Sequence, residues 1–174
     1  MSWIYEREAN KLLAYERGMA AATTASIFVS KEEATLFASL APESAHKALY
    51  RTQGVDSVFF SPEHEFESPY ATGQKVLVFT GAMDYRPNID AVTWFCANVL
   101  ESVRAQEPDF LFCIVGMKPT PEVQKLDDLP GVRVTGGVPD VRPYLAHALA
   151  ACLPLQLARG IQNKALEAMA MCLP

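Results

Sequence analysis

A chain of 174 residues, half of them hydrophobic and a fifth charged, has a globular composition and the length of one ordinary domain or one and a half small ones. Its formal charge of −5, with no lysine or arginine run, argues against electrostatic nucleic-acid binding. Four cysteines without a CxxC, and three histidines without a partner at ligand spacing, argue against a disulfide scaffold and a metal site; they fit a reducing cytoplasm.

Residues 3–22 place Trp3, Ile4, Leu12, Leu13, Met19 and Ala20 at helical spacing. The segment is charged and amphipathic, unlike a signal peptide, and no apolar stretch approaches the roughly 18 residues of a membrane span. "ASIFVS" reads as a short buried strand. Ser30 with Glu33 three residues later is a capping-box pattern for a helix to about Leu40. Residues 52–74, rich in glycine, proline and acidic residues, have no period and read as a linker. Beyond them strands and helices alternate. "KVLVFTG", "DFLFCIVG", "GVRVTGGV" and "ACLPL" read as strands. "NIDAVTWFCANVLESVRAQ", "TPEVQKLDDL", "PDVRPYLAHAL" and "NKALEAMAM" read as helices, with Asn88, Asp140 and Asn163 placed to cap theirs. Near-continuous apolar strands separated by helices predict an α/β fold, a parallel sheet with helices on both faces. Ligands in such sheets bind at the carboxyl ends of the strands, here marked by Gly81, Gly116 and Gly136.

Three loops at those ends carry candidate chemistry. In Gly160–Glu167 a helix start supplies N–H groups and partial positive charge, and Lys164 adds a full one, an arrangement suited to an anion. Glu167, one turn in, can accept hydroxyl hydrogen bonds. The competing reading is a solvated Lys–Glu pair. After Gly81, Arg86 stands beside the helix opened by Asn88 and can hold a diphosphate, or can be a surface arginine. The backbone around Gly136 and Val138 can read a nucleobase edge, or can be a plain turn. GxGxxG, the P-loop pattern and GxSxG are all missing, which argues against a nicotinamide site, a P-loop NTPase and a serine hydrolase.

Four stretches in order carry a resemblance to the retaining glycosyltransferases of family 4: "YRTQGVDSVFFSP", "VLVFTGAMDYRPNIDAVTWF", "GVRVTGGVPDVRPYL" and "RGIQNKALEAMA". The sequence is most similar to the bacterial polysaccharide-assembly branch. The resemblance implies two Rossmann-like domains facing across a cleft, the GT-B fold. Residues 1–52 would be the last part of an acceptor domain, 53–73 the interdomain linker, and 74–174 a donor domain cut short at its C-terminus. It implies transfer of a sugar from a nucleoside-diphosphate sugar to a hydroxyl of a saccharide or lipid-linked acceptor, with retention, in polysaccharide or glycoconjugate biosynthesis. No cofactor beyond the donor substrate and no metal are expected.

The roles implied by the resemblance follow its motifs. Glu167 would hold the ribose, Lys164 and the Asn163 amide the diphosphate and sugar, with Gly160, Ile161 and Gln162 in the same segment. Gly81, with Asn88 and Gly116 beside it, would admit the phosphates, and Gly136 with Val138 would meet the base. Arg159 stands where the family's first paired glutamate falls, Gln53 replaces the linker asparagine, and Arg86 would substitute for the usual cations after Gly81. The alternatives are another GT-B enzyme such as a nucleotide-sugar epimerase, or a non-catalytic nucleotide-binding or assembly module. The chain is expected to be cytoplasmic, its parent peripheral to the inner membrane, and by itself inactive and self-associating through an open sheet edge.

Overall fold

The structure, a computed structural model, describes residues 2–157 and 160–174. The chain divides into two compact units, Met1–Gln53 and Gly54–Pro174.

The first unit runs α1 (Ser2–Ala22), β1 (Ser26–Phe28), α2 (Lys31–Leu40), a 3₁₀ turn over Pro42–Lys47 and β2 (Ala48–Tyr50). The two strands pair in parallel, Ser26 opposite Ala48. The Ser30 hydroxyl accepts from the Glu33 N–H at 3.1 Å, the bond that the Ser-x-x-Glu spacing predicts. Lys47 Nζ donates to the carbonyls of Ala20, Ala21 and Thr23, closing the C-terminus of α1, where unpaired carbonyls and the negative end of the helix dipole gather. Ala20, Phe37 and Ala41 form its small core with Phe28 and Ala48.

The second unit is a four-stranded parallel sheet of β3 (Lys75–Thr80), β4 (Phe110–Val115), β5 (Val132–Gly136) and β6 (Ala150–Ala151) in the order β5-β4-β3-β6. Its helices are α3 (Arg86–Asn98), α4 (Leu100–Gln106), α5 (Pro121–Gln124), α6 (Arg142–Ala146) and α7 (Asn163–Ala170). Every residue of β4 is buried, as a central strand covered on both faces requires. Alternate residues serve opposite faces. Phe79, Phe112 and Ile114 pack with Ile89, Val92 and Phe95 of α3 and Val123 of α5; Val78, Cys113 and Val115 pack with Leu145 of α6 and Ala168 of α7. Burying each such large side chain contributes about 1.5–3 kcal/mol. This is the α/β sheet with helices on both faces that the alternating pattern predicts.

Several local expectations are corrected. The long helix over 88–106 is two, because Val99 leaves helical geometry at φ −121° and the Asn98 amide bonds back to the Trp94 carbonyl. Tyr85, not Asn88, occupies the N-cap of α3; Gln162, not Asn163, occupies that of α7; Val141, not Asp140, that of α6. The fourth strand is only Ala150–Ala151, since Pro154 has no N–H for the ladder and the Leu155 N–H turns back to the Leu153 carbonyl. The segment read as a linker lies on the α6 and α7 face of the sheet through Phe60, Phe66 and Tyr70.

The carboxyl ends of β3 and β4 come within touching distance. The Gly81 N–H donates to the Val115 carbonyl, and the Met83 N–H to that of Met117. A Cβ on Gly116 would overlap the Gly81 carbonyl oxygen, whereas one on Gly137 meets nothing nearer than Met117 Cβ at 3.6 Å. Gly116→Ala is therefore expected to lower stability by about 3 kcal/mol, and Gly137→Ala to leave it unchanged, both read from urea unfolding midpoints.

Candidate functional site

The order β5-β4-β3-β6 reverses direction beside β3, the switch point at whose carboxyl ends a parallel α/β sheet has its ligand crevice. Into this crevice α7 projects Lys164 from its first turn. The Lys164 ammonium donates to Asn88 Oδ1 at 2.7 Å and stands 4.0 Å from the centroid of the Phe79 ring. Asn88 is buried in the first turn of α3, and its Nδ2 donates to the Ala82 carbonyl at 2.9 Å. One lysine thus ties together helices that cover opposite faces of the sheet.

Gly81 makes this possible. Its φ is +152°, and a Cβ there would meet Asn88 Nδ2 at 2.7 Å and Lys164 Nζ at 3.0 Å. A side chain would displace the lysine and the asparagine together. Gly116, against the Gly81 carbonyl, supports the same turn from β4.

The ammonium is withdrawn from water. Burial pulls its pKa from the ordinary 10.5 down to about 8, while the carboxylate of Glu167, one turn further on, pushes it back up. Burial raises the Glu167 carboxyl in turn, and Lys164 opposes that rise. The solvated Lys–Glu reading of this helix start is corrected: neither group is exposed. The direct partner of Lys164 is a neutral amide and an aromatic face, so its positive charge is stabilised without being cancelled. That leaves a directed cation at a strand end, where an anionic ligand finds both the charge and the start of α7.

The remaining predicted residues divide. Ile161 and Gln162 are half-buried just before α7, Asn163 is its exposed first residue, and Gly160 takes a left-handed φ of +67° in the loop leading there. Gly136, with φ +69°, ends β5 after a bulge at Thr135, and its carbonyl accepts from the Gly116 N–H. Val138 is half-buried on the cluster that holds Leu145 and Phe66. Arg86 is not brought to Lys164: its guanidinium, 70% exposed, pairs with Asp90 at 2.7 Å and with Glu122 at 3.8 Å. Arg159 lies outside the described residues. Sequence reasoning missed Phe79, which looks like any other core strand residue, and saw Asn88 as a cap and a donor-binding candidate rather than as the acceptor for Lys164.

A family model described as glycosyl transferases group 1 matches residues 74–174, more than half of the chain. The chain belongs to the group 1 glycosyl transferases. None of the curated proteins compared matches it. A group 1 glycosyl transferase moves a sugar from a donor to an acceptor, and the matched stretch contains Phe79, Gly81, Asn88, Gly116, Lys164 and Glu167, the whole of the crevice described above. Among the described residues, no helix of this transferase is long and apolar enough to cross a membrane.

Because the folded pKa of Lys164 lies below its unfolded value, the charged ammonium costs stability below about pH 8, and that cost is relieved as pH rises from about 8 toward 10.5. NMR titration of the lysine side chains should give one midpoint near 8. In Asn88→Leu, which removes the acceptor favouring the charged form, that midpoint should fall further. A Lys164 midpoint at its ordinary 10.5 would refute the burial.

Proposed function

We propose that residues 74–174 are the donor domain of a retaining glycosyltransferase, that 53–73 link it to the acceptor side, and that residues 1–52 belong to that side. The donor is a nucleoside-diphosphate sugar, the acceptor a hydroxyl of a saccharide or lipid-linked glycan, and the setting polysaccharide or glycoconjugate biosynthesis. The observation that carries the donor class is the desolvated Lys164 ammonium at the β3–β6 crevice, paired with a neutral amide. Retention, acceptor and setting rest on the resemblance of the four sequence motifs.

In this reading the diphosphate lies across the Gly81 turn toward Lys164 and the start of α7. As the bond from the anomeric carbon to the phosphate oxygen breaks, negative charge grows on the leaving diphosphate. A cation already partly withdrawn from water and held by Asn88 stabilises that charge with little reorganisation. Glu167, one turn along α7, accepts hydrogen bonds from ribose hydroxyls. Its partly buried position favours a hydrogen-bonding partner over bulk water. Gly136 and Val138 form the turn that meets the base.

Calorimetric titration of UDP, GDP and ADP at pH 7 tests the reading. One nucleotide should bind selectively, Lys164→Ala should weaken it at least about tenfold, and Glu167→Ala should weaken it less. Affinity should fall between pH 7 and 9 as the ammonium deprotonates around 8, and Lys164→Arg should abolish that fall. Absence of binding, or binding indifferent to Lys164, would sink the donor assignment.

A further inference from the structure

We propose that Arg142, stacked on Phe59, is a positioning residue that holds the Gly136–Asp140 turn in shape for the donor base. This rests on the donor-site reading above, and extends it to residues that meet neither phosphate nor sugar.

The turn lacks rigidity of its own. It leaves β5 through a bulge at Thr135 and the left-handed Gly136, and leads into α6, a helix of only five residues. So short a helix does not hold itself. Its order comes from Arg142. The Asp140 carboxylate accepts the Arg142 N–H at 2.9 Å, Nε at 3.0 Å from each oxygen, and a terminal nitrogen at 2.7 Å. The guanidinium is placed in turn from elsewhere in the chain. It lies 3.7 Å from the Phe59 ring centroid and 5.2 Å from that of Phe66, and donates to the Phe59 carbonyl at 3.2 Å.

Neighbouring bonds tie the same two segments together. A ring nitrogen of His147 bonds the Phe66 carbonyl at 2.7 Å, and the Tyr70 hydroxyl donates to the Tyr144 carbonyl at 2.8 Å. Residues 59–70 therefore form a brace along the turn and α6. A fork-shaped cation clamped flat between an aspartate and two rings fixes direction as well as distance, which a lysine cannot do. Asp140, so fixed, sets the course of the backbone from Gly136 through Val138. The clamp follows β5, whereas Lys164 stands at the switch point between β3 and β6, so base and diphosphate affinities are read separately.

The test uses the full chain and two probes, inorganic pyrophosphate and the nucleoside diphosphate that the wild type prefers, titrated by calorimetry. Arg142→Lys should weaken the nucleoside diphosphate about tenfold, and Phe59→Ala about threefold, with pyrophosphate unchanged. Phe59→Trp, which restores an aromatic face, should recover the loss. Phe59 is 45% exposed, so its truncation spares the core even if Arg142→Lys folds poorly. Equal weakening of both probes, or none, would overturn the inference while leaving the donor site intact. A wild type that binds neither probe would instead overturn the donor-site reading, and this inference with it.

Discussion

The hydrogen bond from the Lys164 ammonium to Asn88 Oδ1 crosses the carboxyl end of the sheet, from a helix on one face to a helix on the other. Much of the local architecture accommodates that crossing. Gly81 must lack a side chain because the lysine and asparagine occupy the space. Gly116 must lack one because the Gly81 carbonyl is pressed against it. Phe79, whose ring forms part of the apolar core, also presents a face to the ammonium. Packing and electrostatics meet at one ring.

The choice of a neutral partner matters. An aspartate at position 88 would form an ion pair with Lys164 and leave little field for a ligand. An amide supplies one directed acceptor and no charge. The carboxylate that does influence the lysine, Glu167, is set one turn further along α7, where it supports the charged form from a distance. The helix starts around the crevice follow the same logic. α2 and α5 have side-chain caps from Ser30 and Thr120, whereas α3 and α7, which flank the crevice, have no side-chain cap bond, like α4 and α6 elsewhere. Helix starts not closed by their own side chains direct partial positive charge to the place where a diphosphate would gain from it.

Much of this architecture is legible in the residues. Apolar runs broken by glycine and helical periodicity predict the parallel sheet and the strand ends where the crevice lies, and Ser30 with Glu33 predicts its own cap. Two of the misses depend on a contact distant in sequence, and a third on a local turn. Asn88 looks like a cap because asparagine at a helix start usually caps; its acceptor is instead taken by a lysine 76 residues away. Arg86 looks like a phosphate ligand until Glu122, on α5, is found beside it. "ACLPL" has the composition of a strand, but Pro154 and the turn at Leu155 end the ladder. Local pattern cannot show which of two plausible partners a side chain meets.

The two ends of the carboxyl edge are held in different ways, and the difference bears on specificity. Around β3 and β4 the Gly81 turn is held by backbone bonds that continue the ladder, so its geometry is inherited from the sheet and resists change by substitution. Beside β5 the ladder breaks at a bulge, and the turn is held by side chains: an arginine, an aspartate and rings from residues 59–70. A sheet-held turn at Gly81 and a side-chain-held turn after β5 can vary independently. Substitutions at Phe59, Asp140 or Arg142 reshape the second without disturbing the core on which the first depends. If the proposed donor reading holds, such a division lets the nucleotide preference shift through a few residues while the phosphate end stays constant.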